Sequence, residues 1–185
     1  YHKLRKLDLS TLDKPAGHYG LSIILGGSEV TLWEMTGVYA SMARTLNHFR
    51  GYSSRYNPRN FHPPAYLKDK QYPIYEDGRN RKGLFSASAI WSTFEALTRL
   101  HRPRQESGWQ FMGTSRKVVW KTGTSFGFRD GWALAVTPSH AVGVWVGNAD
   151  GEGRPGLTGV NAAAPILFDI IRELPRREWF AKRFD

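Results

Sequence analysis

Three stretches of the chain repeat apolar residues at the spacing of α-helices that bury one face. They cover about 32 to 47, 87 to 100 and 161 to 174, with apolar positions three or four residues apart. Thr31 and Glu34, at the start of the first stretch, fit a capping box in which the two residues satisfy each other's backbone amides. The pattern therefore predicts three helices, each with one face in a core.

A different pattern fills the chain between the second and third predicted helices. Runs of β-branched and aromatic residues start at 118, 130 and 141, and a Thr-Pro-Ser turn at 137–139 separates the last two. Such runs, joined by tight connections, are typical of antiparallel strands. The prediction is an α+β fold in which a three-stranded antiparallel sheet, residues 118–148, is flanked by helices.

The remaining segments carry little periodicity. Residues 48–82 contain four prolines and an Asp-Gly turn, so they are expected to form an irregular loop. The stretch 102–115 is expected to be a polar connection, and residues 176–185, which follow Pro175, a frayed or linking tail. Aromatic residues alternate with basic ones in the loop, a pattern that favours side chains that pin the loop to the body over a surface that stacks nucleic-acid bases. These aromatic residues are Tyr52, Tyr56, Phe61, Tyr66, Tyr72 and Tyr75.

Composition restricts the class of protein. The 185 residues are 41% hydrophobic and 23% charged, which suits one globular core and not two. No apolar run approaches the roughly 20 residues that cross a bilayer. The absence of cysteine excludes disulfides and thiolate metal sites. The six histidines show no metal-ligand spacing, so we expect neither a metal nor a cofactor.

The formal net charge of +10 attracts polyanions of any kind. The lysines and arginines are dispersed, however, with no block of five like charges. A solvated basic face is favoured over a groove for nucleic acid, and no specific nucleic-acid partner is expected. A basic nucleic-acid-binding module stays open as an alternative.

The first predicted strand carries Lys-Thr-Gly-Thr at 121–124. Strand alternation sends Lys121 and Thr122 to opposite faces, and Gly123 lacks a Cβ, so another backbone can lie close along the edge. The sequence matches the K-T-G element of the serine penicillin-recognising enzymes. Further segments resemble the transpeptidase domain of class A penicillin-binding proteins, at 16–31, 130–132, 144–148 and 158–166.

This resemblance implies a serine D,D-transpeptidase of peptidoglycan synthesis, which acts on D-Ala-D-Ala stem peptides and binds β-lactams. In the family chemistry Lys121 supplies positive potential, and the hydroxyls of Thr122 and Thr124 bind the substrate carboxylate. The amide of Thr124 donates to the oxyanion, and Gly123 permits close passage of the peptide. The predicted catalytic residues are Lys121 and Thr124, and the predicted substrate-binding residues are Thr122, Gly123 and Thr124.

The chain departs from the family pattern because it contains neither Ser-x-x-Lys nor Ser-x-Asn. We interpret residues 1–175, with a helical part at 1–47, as the C-terminal portion of an incomplete transpeptidase domain whose partner is the remainder of that domain. The isolated chain is then expected to be inactive. Without the helix that carries the nucleophile, one sheet face is expected to be uncovered, which predicts marginal stability or self-association.

Two further expectations follow from the resemblance. The protein is placed on the periplasmic side of a bacterial inner membrane, with any anchor outside this chain. A non-catalytic sensor or scaffold of the same fold that binds wall peptides is the alternative to an enzyme. The motifs do not distinguish transpeptidation from carboxypeptidation, nor do they identify the acceptor amine or a preceding glycosyltransferase domain.

Overall fold

The computed structural model describes residues 1–51, 56–67, 83–103 and 116–182. The predicted loop at 48–82, the connection at 102–115 and the tail at 176–185 lie partly outside these residues. Within the described part the α-helices are α1 (His2–Arg5), α2 (Ala16–Tyr19), α3 (Leu32–Gly51), α4 (Ala87–Thr98) and α5 (Ala164–Glu173). The strands are β1 (Val119–Thr124), β2 (Asp130–Val136) and β3 (Ala141–Gly147).

The three strands form an antiparallel sheet in the order β1-β2-β3. In its register Gly123 lies opposite Trp132, which in turn lies opposite Trp145. The turn between β2 and β3 closes through the amide of Thr137, which donates to the carbonyl of His140 at 2.8 Å. The predicted α+β fold with a three-stranded antiparallel sheet is confirmed.

One face of the sheet is covered by α5. Trp120 packs against Phe168 with ring centroids 5.1 Å apart, and the other members of this core are small or aliphatic. They are Val118, Ala133, Ala135, Val144, Ala163, Ala164, Leu167 and Ile171. Closely packed alanines let the helix approach the sheet, so this layer has little room for larger side chains.

The opposite face of the sheet is covered by α3 and α4. Val119 and Val136 enter a second core with Phe94 of α4 and Leu46 of α3. The expectation of an uncovered sheet face is therefore wrong, because helices pack on both faces. The apolar faces of α3 and α4 together cover this side of the sheet, although neither pattern in the sequence indicates which layer its helix covers.

The C-terminal residues also differ from the expected frayed tail. Residues 176–182 have no regular secondary structure, yet Phe180 is only 6% exposed and belongs to the second core. The indole of Trp179 donates to Glu95 on α4 at 2.9 Å. This carboxylate also accepts from Lys117 at 2.6 Å, so the segment is fixed to both α4 and the residues that lead into β1.

The helix ends follow local side-chain chemistry. At the start of α3 the amide of Glu34 donates to the Thr31 hydroxyl at 3.2 Å, and this hydroxyl donates to the Glu34 carboxylate at 2.8 Å. The same carboxylate accepts from the amide of Ser10 at 2.9 Å, so α3 also holds the N-terminal segment. α3 extends to Gly51, beyond the predicted 47, whereas α4 ends at Thr98, before the predicted 100.

The closing helix is divided. Residues Gly159–Ala163 form a π-helical turn that leads into α5, and the Thr158 side chain caps this turn by accepting from the amide of Asn161 at 3.2 Å. The predicted helix at 161–174 thus begins two residues earlier and ends at Glu173. No helix in the described part of the chain has the length and apolar character that a membrane crossing requires.

Candidate functional site

The Lys-Thr-Gly-Thr motif (121–124) occupies the second half of β1, where the strand leaves the core. Val119 and Trp120 are buried, Thr122 is half-buried, and Lys121 is exposed. β1 is an edge strand of the sheet that the described residues form. The buried first half of β1 therefore anchors the motif, whose own residues are exposed or half-buried.

Strand alternation sorts the side chains of the motif. Trp120 faces α5, so Thr122 and Thr124 share that face. Val119 faces α3 and α4, so Lys121 lies on that opposite face. The Lys121 side chain nevertheless reaches the strand edge, since its Nζ donates a hydrogen bond to the carbonyl oxygen of Thr122.

The backbone of the motif presents hydrogen-bonding groups along the free edge. The amide of Ser125 donates to the carbonyl of Asp130 at 3.1 Å. This hydrogen bond shows which residues of β1 direct their backbone groups toward β2. Successive residues of an antiparallel strand point their N–H and C=O groups alternately toward and away from the neighbouring strand. Because Ser125 points toward β2, Thr122 and Thr124 point their backbone groups away from it.

Gly159 fixes the motif from the α5 side. A Cβ built at Gly159 would lie closer than 3.0 Å to the carbonyl oxygens of Gly123 and Trp132, and 3.0 Å from the Thr122 Cβ. The amide of Gly159 donates to the Thr124 hydroxyl at 3.0 Å. With one lone pair of Thr124 Oγ1 engaged, its O–H remains available as a donor.

A second glycine completes this packing. Gly131 lies opposite Thr124 in the sheet, and a Cβ there would meet the backbone of Thr158 at 3.2 Å. The sequence reasoning missed the roles of Gly131 and Gly159 because a glycine selected for close packing resembles a turn glycine in a single sequence. The strand register places Gly131 opposite Thr124, whereas the contact of Gly159 with the strands is seen only in the folded structure.

The connection from β1 to β2 is fixed by hydrogen bonds. The Ser125 hydroxyl accepts from the amide of Asp130 at 2.8 Å, and the Asp130 carboxylate accepts from the indole of Trp145 at 2.8 Å. The amide of Arg154 donates to the carbonyl of Phe128 at 3.1 Å. Residues 151–156, which superficially fit a dinucleotide-binding glycine motif, thus form a loop that supports this connection.

Donors dominate the chemistry at the strand edge. The ammonium of Lys121, the hydroxyls of Thr122 and Thr124 and the backbone amide of Thr124 can all donate, whereas no carboxylate in the described part of the chain forms an ion pair with Lys121. This set of donors suits the binding of a carboxylate or of a developing oxyanion. Within the same residues no cluster of histidine and acidic side chains could hold a metal ion.

The chain resembles a known protein over most of its own length. The chain is 29% identical over 168 residues to penicillin-binding protein 1C of Escherichia coli (strain K12). The match covers 91% of this chain but only 19% of the relative, so the chain spans about a fifth of that protein's length. No family model matches the chain. The resemblance to class A penicillin-binding proteins, and within them to penicillin-binding protein 1C, is confirmed.

Proposed function

We propose that this chain forms one wall of the active site of a peptidoglycan D,D-transpeptidase. The observation that carries the proposal is the edge of β1, where the Lys121 ammonium lies at the Thr122 carbonyl, the backbone amide of Thr124 points away from β2, and the hydroxyls of Thr122 and Thr124 lie on the face toward α5. An extended peptide that ends in a carboxylate matches this edge, because it pairs with strand edges and requires cationic and hydroxyl donors at its end.

In the proposed reaction the chain binds and stabilises but does not attack. Lys121 and the two threonine hydroxyls hold the terminal carboxylate of the acyl donor. The amide of Thr124 donates to the carbonyl oxygen as it becomes negative, a contribution that typically changes rates by about 10² to 10³. The nucleophile is a serine on a segment that this sequence does not contain.

The acyl transfer then proceeds in two steps. The serine oxygen gives up its proton and forms a bond to the carbonyl carbon, the peptide bond breaks, and the departing D-alanine takes up a proton. An amine from a neighbouring peptide attacks the resulting ester, gives up its proton and releases the serine. β-Lactams follow the first step and form a stable acyl adduct. By this proposal the protein works on the periplasmic side of a bacterial inner membrane.

Intact-mass spectrometry after incubation with a penicillin tests the proposal. We expect no adduct on this chain and one adduct on a longer polypeptide that includes the serine segment. Lys121→Met in that longer polypeptide should lower the acylation rate about 100-fold, because it removes the cation that binds the carboxylate. Lys6→Met, which removes an equivalent charge from an exposed position in the N-terminal segment, is the matched control.

The alternatives predict different outcomes. An adduct on a hydroxyl of this chain alone would show that the nucleophile has been misplaced. If neither form is acylated, the enzyme proposal fails, and binding of a D-Ala-D-Ala peptide without acylation would then indicate a sensor or scaffold. Equal effects of Lys121→Met and Lys6→Met would show that the site lies elsewhere.

A further inference from the structure

Phe126 is the most exposed large apolar side chain of the described residues. It is 98% accessible to solvent and follows the Lys-Thr-Gly-Thr motif by two residues. Single exposed apolar residues are ordinary on protein surfaces. This residue differs because the loop that presents it is held in one conformation.

Contacts on both sides restrain that loop. Ser125 makes two hydrogen bonds with Asp130, at 2.8 and 3.1 Å, and accepts a third from the amide of Phe128 at 3.2 Å. On the other side, a Cβ at Gly153 would collide with the carbonyl oxygen of Gly127, so the two loops are in backbone contact. The carbonyl of Phe128 accepts from the amide of Arg154 at 3.1 Å.

The backbone angles show that this loop adopts an uncommon conformation. Gly127 has a φ of 76°, and Phe128, which is not a glycine, has a φ of 56°. A bulky residue in the left-handed region needs surrounding contacts that hold it there. Hydrogen bonds and backbone contacts thus hold the turn, and the Phe126 ring projects from it into solvent.

The position of Phe126 follows from the strand before it. Ser125 has extended angles, with φ −73° and ψ 159°, so the chain continues beyond Thr124 as far as Phe126, where the short 3-10 turn Phe126–Phe128 begins. At about 3.3 Å per residue, Phe126 lies roughly 7 Å beyond Thr124 along the strand direction.

We propose that Phe126 is a specificity-determining contact for the acyl donor, an inference that rests on the proposed function. With the terminal carboxylate held at Lys121 and Thr122 and the reacting carbonyl at the amide of Thr124, the rest of the donor runs along β1 toward Phe126. The phenyl ring then packs against an apolar or long aliphatic side chain one or two residues before the reacting carbonyl. In a penicillin the equivalent group is the side-chain acyl substituent.

Two penicillins separate this contact from the acylation itself. Benzylpenicillin carries an aryl side chain, and 6-aminopenicillanic acid has none, while both present the same β-lactam and carboxylate. In the longer polypeptide that includes the serine, we expect Phe126→Ala to slow acylation by benzylpenicillin about fivefold to tenfold, the size of one lost aromatic contact. Acylation by 6-aminopenicillanic acid should not change.

Two further variants complete the test. Phe126→Leu should restore most of the rate, because it keeps an apolar side chain of similar reach. Tyr66→Ala removes another aromatic ring that is largely exposed, 87%, and should change neither rate. Since Phe126 makes almost no contact in the folded chain, its substitution should leave the thermal unfolding midpoint unaltered.

The outcomes distinguish the inference from the proposed function. Equal slowing of both penicillins by Phe126→Ala would overturn the inference, because the residue would then act through the strand and not through the donor side chain. Unchanged rates with both penicillins would overturn it as well. If the unaltered polypeptide reacts with neither penicillin, the proposed function itself fails.

Discussion

Gly159 allows the start of the closing helix to touch the backbone of two strands, and its replacement by alanine is the sharpest structural test. The added Cβ would lie closer than 3.0 Å to the carbonyl oxygens of Gly123 and Trp132. Neither oxygen belongs to a flexible side chain, so the helix must shift. That shift would also lengthen the hydrogen bond from the Gly159 amide to Thr124, now 3.0 Å.

The expected loss of stability combines three effects. Overpacking typically costs about 1–3 kcal/mol, and the weakened hydrogen bond adds about 1 kcal/mol. Alanine regains up to about 1 kcal/mol in a helical position. We therefore expect Gly159→Ala to reduce the free energy of unfolding by about 2 kcal/mol, which lowers the melting temperature by about 4–8 °C in a protein of this size.

Denaturant titration measures this difference in the same polypeptide with and without the substitution. Gly17→Ala is the matched control, because Gly17 lies in α2 and a Cβ there meets nothing within 4 Å. It should be neutral or stabilise by about 0.5 kcal/mol. If Gly159→Ala is as well tolerated as Gly17→Ala, the close packing of helix on strand described above is incorrect.

Three other substitutions test separate parts of the structure. Phe180→Ala should reduce stability by about 3 kcal/mol, measured by denaturant unfolding, whereas a frayed tail would show no loss. Glu95→Gln should make the free energy of unfolding depend less strongly on pH in the acid range. Burial raises the pKa of Glu95, but hydrogen bonds from Lys117 and Trp179 outweigh it and hold the pKa below 4.5, so the stabilisation is complete above pH 4.5 and is lost as the pH falls through the lower folded value. An unchanged pH dependence of the free energy of unfolding in the acid range would contradict this. Gly123→Ala should change the free energy of unfolding by no more than about 1 kcal/mol, because the added Cβ makes only ordinary contact. In the longer polypeptide that includes the serine, it should slow acylation by a penicillin. An unaffected acylation rate would show that the peptide does not pass close to Gly123.

Much of the fold follows from local patterns in the sequence. The strands come from alternating β-branched and aromatic residues. The start of α3 comes from the Thr31 and Glu34 cap, in which the Glu34 amide donates to Thr31 as predicted, while the Glu34 carboxylate accepts from the Thr31 hydroxyl. Phe180 could not be placed in the same way, because one aromatic pair after a proline has no periodicity. Its burial depends on the distant side chains of α3 and α4.

The candidate site was predictable only in part. The Lys-Thr-Gly-Thr motif is recognisable from its letters, and alternation alone separates Lys121 from Thr122. The contact between Gly159 and Gly123 joins residues 36 positions apart in the chain, and the absence of a side chain leaves no pattern to read. The exposure of Phe126 likewise depends on the hydrogen bonds of Ser125, which only the folded turn reveals.

The lysine at the edge of β1 also determines which strands can add to the sheet. An exposed strand edge can pair with another copy of the same protein, and a lysine on that edge commonly disfavours such pairing. The Lys121 ammonium lies over the Thr122 carbonyl, so a second copy that paired there would have to move this charge and place its own lysine nearby. A strand that brings a carboxylate instead gains an ion pair. Lys121 thus disfavours edge-to-edge pairing between copies of this chain and favours the binding of a strand that carries a carboxylate.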